Sequence, residues 1–147
     1  MTREEFIERL DRKDYSYKIE GDKIIVTYGG DVYLNNLKTL PPGVEFKNGG
    51  VVNLSGLETL PPGVAFKNKG NVILSALKTL PSGVEFENSG GVYLRSLETL
   101  PPGVHFKNGG SVYLKGLEWV EDNEEIKIEG VGNKRLLNLM IKRELFI

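Results

Sequence analysis

The stretch LKTLPPGVEFKNGGVVNLSG, from Leu37 to Gly56, decides the fold because it recurs three more times without a gap. The copies are LETLPPGVAFKNKGNVILSA (57–76), LKTLPSGVEFENSGGVYLRS (77–96) and LETLPPGVHFKNGGSVYLKG (97–116). A fixed period of 20 residues is the signature of a repeat protein whose units stack on one another.

Each unit contains two short segments, Val-x-Phe and Val-x-Leu, in which apolar and other residues alternate. Alternation with period two is typical of a β-strand, since it places the named apolar side chains on one side. Leu-x-x-Leu-Pro-Pro predicts one irregular corner, and Asn-Gly-Gly predicts a second, with glycine supplying a positive φ. One coil cannot bury its own apolar side chains, but coils stacked about 4.8 Å apart can.

Two polar positions in the unit indicate how the coils align. The residue after the first Leu alternates in charge along the chain (Lys38, Glu58, Lys78, Glu98). Stacking in register would place opposite charges next to each other at every step. An Asn recurs on the inward side after Val-x-Phe (Asn48, Asn68, Asn88, Asn108). We expect this Asn ladder to hydrogen-bond both to the turn backbone and to the next amide.

The chain divides into an N-terminal cap (1–28), a repeat solenoid (29–120) and a C-terminal cap (121–147), all in one structural domain. The cap at the N-terminus begins with the capping-box pattern Thr2-Arg3-Glu4-Glu5, which predicts a short helix. Glu-Gly-Asp between two β-prone runs then predicts a hairpin that pairs with the first coil. The fold class is therefore a β-rich (α+β) solenoid of two-strand coils with helical caps at both ends.

The C-terminal cap is predicted to consist of a last strand at 124–129 and a helix that begins after Asn133. One face of that helix is apolar, and its residues include Leu136, Met140, Leu145 and Phe146. Two interpretations stay open: the helix covers the end of the core, or it forms a dimer contact.

Composition restricts the class of protein. The 147 residues include no cysteine, which excludes disulfides and thiolate metal sites. Basic and acidic residues number 19 and 20, so we expect no nucleic-acid partner. The N-terminus lacks the pattern of a secretory signal and no stretch is long and apolar enough to span a membrane, so we expect a cytoplasmic protein without a membrane partner.

Residues that could carry catalysis are sparse. His105 is the one histidine, and it occupies an outward position of the fourth unit at which other units hold Glu45, Ala65 and Glu85. This variety is typical of a tolerant surface site, and no second ligand lies at metal-binding spacing. Serines have no plausible base partner either. We therefore expect no enzyme activity, no catalytic residue, no metal and no cofactor.

The run V-x-L-x-x-L-x-x-L-P-x-G-V resembles the leucine-rich repeat over residues 29–120. It is especially similar to short repeats of the form L-P-x-G-V and G-G-x-V-x-L in proteins of bacteriophages and gut bacteria. It departs from the standard repeat because the Asn-x step between the strand and the next Leu is missing. The resemblance implies a leucine-rich-repeat-like stack with a parallel sheet on one face and a role in recognition.

In such repeats the outward residue of each Val-x-Leu lines the recognition face. The resemblance therefore implies a partner-binding surface, whose residues would be Tyr33, Asn53, Ile73, Tyr93 and Tyr113, flanked by Arg95 and Lys115. Tyrosine and arginine are enriched at binding hot spots, although neighbouring rings also stack simply to stabilise strands.

Our leading functional hypothesis is a non-enzymatic protein-binding repeat protein. If it is encoded by a phage, its partner would be a host defence protein that it inhibits or sequesters in the host cytoplasm. The alternative is a self-assembling structural protein of a phage or mobile element, with a homodimer as the simplest form.

Overall fold

Each repeat unit forms one coil of a β-solenoid, and equivalent residues of successive coils pair 20 positions apart. The structure is a computed structural model that describes residues 1–101, 103–114, 119–120 and 127–128, the last four through their backbone alone. The predicted stack of about 20-residue coils is confirmed.

The elements are one helix and a series of short strands. In chain order they are α1 (Arg3–Arg12), β1 (Tyr17–Glu20), β2 (Lys23–Val26), β3 (Val32–Tyr33), β4 (Val44–Phe46), β5 (Val52–Asn53), β6 (Ala65–Phe66), β7 (Val72–Ile73), β8 (Glu85–Phe86), β9 (Val92–Tyr93), β10 (Thr99–Leu100), β11 (His105–Phe106), β12 (Val112–Tyr113), β13 (Trp119–Val120) and β14 (Lys127–Ile128).

The strands form two long sheets on different sides of the coil. The Val-x-Phe segments, together with β1, β2 and β14, build a seven-stranded sheet in the order β1-β2-β4-β6-β8-β11-β14. The Val-x-Leu segments build a five-stranded sheet in the order β12-β9-β7-β5-β3. All neighbours pair in parallel except β1 and β2, which form the predicted hairpin. A third, two-stranded sheet joins β10 to β13. The prediction of two strands per unit is confirmed in the first three units, whereas the fourth has a third strand, β10, in the corner that was predicted to be irregular.

A column of phenylalanines fills the space between the two long sheets. Phe46, Phe66, Phe86 and Phe106 are fully buried, and successive ring centroids lie 5.3–5.5 Å apart with nearly parallel planes. The Val and Leu residues of the consensus are buried around them in a single continuous cluster. Because every ring packs on at least one ring of a neighbouring coil, each coil depends on its neighbours to bury its core.

The Asn ladder is buried as predicted, but its hydrogen bonds differ from the prediction. Asn88 Nδ2 donates to the carbonyl oxygens of Gly90 and Gly91 in its own turn, at 3.2 and 3.0 Å, and to Gly70 O in the preceding coil at 3.1 Å. Asn48 and Asn68 repeat this pattern. The predicted amide-to-amide bond is wrong, because the preceding coil presents its glycine carbonyl to Nδ2. The Oδ1 atoms accept no hydrogen bond from the described residues.

The positive φ angle that was predicted for the Asn-Gly-Gly corner lies instead in the Leu-Pro corner. Positive φ occurs at the glycine of Pro-x-Gly, as in Gly83 at 79°, and not in Asn-Gly-Gly. The glycine that ends Asn-x-Gly is required for another reason. A Cβ on Gly70 would lie 2.7 Å from both Gly50 C and Val51 N, so glycine permits the close approach of two coils.

The charge ladder follows the predicted register. Backbone hydrogen bonds of 2.9 Å run from Glu58 N to Lys38 O and from Glu98 N to Lys78 O. Among the side chains, Lys38 Nζ lies 3.7 Å from Glu58 Oε1, while the other two steps of the ladder have no contact within 4 Å. The alternating charges therefore indicate how the coils align but contribute little to the stability of the stack.

The N-terminal cap closes the first coil. Thr2 and Glu5 form the predicted capping box of α1, and Phe6 and Leu10 are buried in the core. The edge of β3 is also covered, since Lys13 Nζ donates to Tyr33 O at 2.7 Å and Tyr33 N donates to the Tyr15 hydroxyl at 3.0 Å.

At the C-terminal end, the predicted last strand is present as β14, which pairs with β11. The predicted C-terminal helix, with Leu136, Met140, Leu145 and Phe146, lies outside the described residues. Within the residues that the structure describes, no helix has the length and apolar character needed to cross a membrane.

Candidate interaction face

The outward residues of the Val-x-Leu strands form one straight column across the five-stranded sheet. The strand pairing places Tyr33 beside Asn53, then Ile73, then Tyr93, and finally Tyr113. Their valine and leucine neighbours are buried, so the alternation of each strand turns the column towards solvent. We call this column the aromatic face.

The C-terminal half of the aromatic face is an ordered pair of rings. Tyr93 and Tyr113 stack with centroids 4.5 Å apart and planes inclined by 13°. Both rings reach over Gly91, where a Cβ would lie 3.5 Å from Cε2 of each ring and 3.1 Å from Ser111 O. The glycine therefore leaves room for the rings to lie close to the sheet.

Arg95 extends the ring pair with a positive charge. Its guanidinium carbon lies 5.7 Å from the centre of the Tyr93 ring, within the range of a cation–π contact. Burial raises the pKa of the Tyr93 hydroxyl, the neighbouring Tyr113 raises it further, and Arg95 acts in the opposite direction. Tyr93 is therefore neutral at physiological pH, and the patch combines apolar ring surface with one exposed cation.

The N-terminal half of the aromatic face has a different character. Tyr33 is 46% exposed and its hydroxyl donates to Asp31 Oδ2 at 3.1 Å. This hydrogen bond and the nearby charge of Asp31 raise the pKa of Tyr33. The face thus has an acidic residue beside β3 and a basic residue beside β9, separated by the half-buried Asn53 and Ile73.

Two residues that support this face were not singled out from the sequence. Asp31 Oδ1 accepts from Val51 N at 2.8 Å, and Asn71 Oδ1 accepts from Gly91 N at 2.7 Å, so each bridges two coils beside the column. The signal was present in the aligned units, where position 31 and its equivalents read Asp, Val, Asn, Gly and Ser. A side-chain acceptor appears there in alternate coils.

Other predicted site residues lie elsewhere. Lys115 and the proposed oligomer contact in the C-terminal helix fall outside the described residues. His105 lies on the seven-stranded sheet, away from the aromatic face, with Nδ1 3.4 Å from Glu85 Oε1. Its side chain is only 20% exposed, and the equivalent Glu45 is buried, so this position is less open than a tolerant surface site.

In the described part of the chain, no group of three or more His, Cys, Asp or Glu side chains has an arrangement that could hold a metal ion. No protein-family model, no curated protein and no solved structure matches this chain.

Proposed function

We propose that this β-solenoid is a non-enzymatic protein-binding module whose partner docks on the aromatic face. The observation that carries the proposal is the stacked pair of Tyr93 and Tyr113 with Arg95 beside it, on the outward side of a sheet. Tyrosine and arginine supply large contact area and directed hydrogen bonds, and they are the residues most often found at hot spots.

The repeat architecture supports the same proposal. Residues that build the coil are the same in every unit, whereas the outward column contains Tyr, Asn, Ile, Tyr and Tyr. A rigid stack that holds a varied row of side chains is the arrangement by which solenoids bind extended partners. The sequence resembles short leucine-rich-type repeats in proteins of bacteriophages and gut bacteria. A host defence protein is therefore the first class of partner to test.

The test uses the full chain as bait in a host extract, followed by affinity measurement with the purified partner. Replacing both Tyr93 and Tyr113 with Ala should weaken binding at least about tenfold, because hot-spot residues carry most of the binding energy. The circular dichroism melt should stay close to that of the parent chain, since both side chains lie on the outward face.

Tyr17→Ala provides the matched control, because Tyr17 lies on the hairpin and its hydroxyl donates to Asp11. That variant should bind like the parent chain. Unaltered binding by the double variant would exclude the aromatic face as the docking site.

Self-assembly is the second candidate, and the exposed Ile19 on edge strand β1 is the observation that favours it. Against it, Lys18 and Glu20 flank Ile19 and form an exposed ion pair of 3.0 Å, and charged residues on an edge strand oppose edge-to-edge pairing. Light scattering decides between the two: a monomer at high concentration would remove the self-assembly proposal.

A further inference from the structure

A depression on the outer side of the seven-stranded sheet lies between the second and third coils. Its volume is about 310 Å³, at the lower end of the range for ligand pockets. Its lining includes Ala65, and Lys67, Ser82, Glu85 and Glu87 contribute its polar groups. It lies on a different sheet from the aromatic face.

Three residues of the depression break the repeat. They are Ala65, Ser82 and Glu87, whereas the other units hold Glu or His at the first position, Pro at the second and Lys at the third. Residues needed to build the coil are kept in every unit. Three departures that converge on one depression therefore point to a role other than stacking.

The departures also change the charge of the site. Lys67 Nζ lies 3.0 Å from Glu45 Oε1 and 3.9 Å from Glu87 Oε2, so one ammonium group is shared by two carboxylates. The hydrogen bond to Glu45 raises the pKa of Lys67 and keeps it charged and engaged. The other units have a lysine at the position of Glu87, so they have no carboxylate there that needs a cationic partner.

Acidic and basic side chains at the depression are unequal in number. Lys47 Nζ lies 3.8 Å from Glu45 Oε1, and His105 Nδ1 faces Glu85. Of the charged residues that line the depression, two carry carboxylates (Glu85, Glu87) and one carries an ammonium group (Lys67). One additional cation would balance the site.

We propose that this depression binds the side chain of an arginine that projects from a partner protein. Glu85 and Glu87 lie two residues apart on the same side of the chain, so a planar guanidinium can contact both carboxylates. Their side chains are 45% and 36% exposed, and such open walls suit a side chain from a larger surface better than an enclosed small molecule. Pro62, which also lines the depression and is exposed, would contact the aliphatic part of the arginine.

The test is a chemical-shift titration of the isotope-labelled full chain with the peptide acetyl-Gly-Arg-Gly-amide. The matched peptide contains citrulline, which keeps the shape of arginine and lacks its charge. We expect saturable shifts at residues 62–67 and 81–87 with the arginine peptide, and at least about tenfold weaker binding of the citrulline peptide. Added salt should weaken the arginine peptide's binding, since the site is open to solvent.

Two variants use side chains that the repeat already places at these positions. Ala65→His copies His105 and fills the depression, and Glu87→Lys copies the other units and reverses the charge. Each should keep the thermal melt and reduce arginine-peptide binding at least about tenfold. If Glu87→Lys changes the melting temperature, Glu87→Gln is used in its place. Ile73→Asn, on the other sheet, should bind like the parent chain.

Equal binding of the arginine and citrulline peptides would overturn the proposal, and so would unchanged binding by folded Ala65→His and Glu87→Lys chains. Neither result bears on the aromatic face, because that proposal is tested on different residues with a different ligand.

Discussion

Two glycines in every unit occupy the corners of the coil for different physical reasons. The glycine of Pro-x-Gly has a left-handed backbone, with φ between 76° and 84° in the four units. The glycine of Asn-x-Gly has no such φ but lies against the backbone of the preceding coil. The first requirement is local to one residue, whereas the second arises only when coils stack.

Substitution by alanine should separate these two requirements. Gly70→Ala places its Cβ 2.7 Å from backbone atoms of Gly50 and Val51, which cannot move without disturbing the stack. We expect a loss of about 3 kcal/mol in the free energy of unfolding. Gly83→Ala meets no atom within 4 Å and only bears the positive φ, so its cost should be about 1 kcal/mol. Urea unfolding measures both, and the opposite order would contradict the stacking explanation.

The Asn ladder supports a second residue-scale prediction. Asn88→Ala removes three hydrogen bonds, so the carbonyl groups of Gly70, Gly90 and Gly91 each lose one donor. The expected loss is about 2–3 kcal/mol, because each of the three hydrogen bonds contributes about 1 kcal/mol. Ser89→Ala, at the exposed neighbouring position, should change stability by less than about 0.5 kcal/mol. Similar unfolding midpoints for the two variants would be inconsistent with a structural role for the amide.

At the scale of elements, neighbouring strands of the seven-stranded sheet are tied together by a row of charges. Glu45 on β4 is only 6% exposed and contacts Lys47 and Lys67. Burial alone would raise the pKa of Glu45, but the hydrogen bond and charge of Lys67, with smaller contributions from Lys47 and Lys23, lower it below 4.5 overall. The folded chain therefore holds the Glu45 proton less tightly than the unfolded chain does.

This pKa shift predicts a pH dependence of stability. Because the folded-state pKa is lowered, the contribution of Glu45 is fully present above pH 4.5 and is lost as the pH falls through the folded-state value. Glu45→Gln should cost about 1–2 kcal/mol at pH 7, since it removes a charged hydrogen-bond acceptor. The difference from the parent chain should shrink as the pH falls below 4.5.

Glu85→Gln is the matched control, because the side chain of Glu85 is 45% exposed. Its effect should be smaller at every pH. Thermal melts across the acid range provide the measurement, and a Glu45→Gln penalty that persists undiminished in acid would contradict the assigned role of Lys67.

The elements also show what the sequence could reveal. Strand positions and the inward placement of Phe86 follow from the periodicity of the repeat, and the capping box at Thr2 follows from its own local pattern. The hydrogen-bond partners of Asn88 and the close packing at Gly70 depend on the distance and rotation between coils, which no single unit encodes. For the same reason, the aromatic column could be predicted but the room that Gly91 provides for its rings could not.

At the scale of the whole molecule, stability resides in the interfaces between neighbouring coils. Phenylalanine rings 5.3–5.5 Å apart, parallel strand pairs and Asn side chains all connect one coil to the next. Each of these contacts joins residues 18 to 20 positions apart along the chain. A chain built in this way should accept the loss of one whole unit but not of half a unit.

Deleting residues 57–76 tests this central claim most directly, with deletion of 57–66 as the matched control. The first deletion places Leu77 where Leu57 lay and keeps every apolar position in register, while Lys38 comes to face Lys78 at a cost of only a few tenths of a kcal/mol. The second deletion removes half a coil. Thermal unfolding followed by circular dichroism should show one cooperative transition for the first chain, at a lower midpoint than the parent, and none for the second. Loss of cooperative folding in the first chain, or equal folding of both, would contradict the stacked-coil structure.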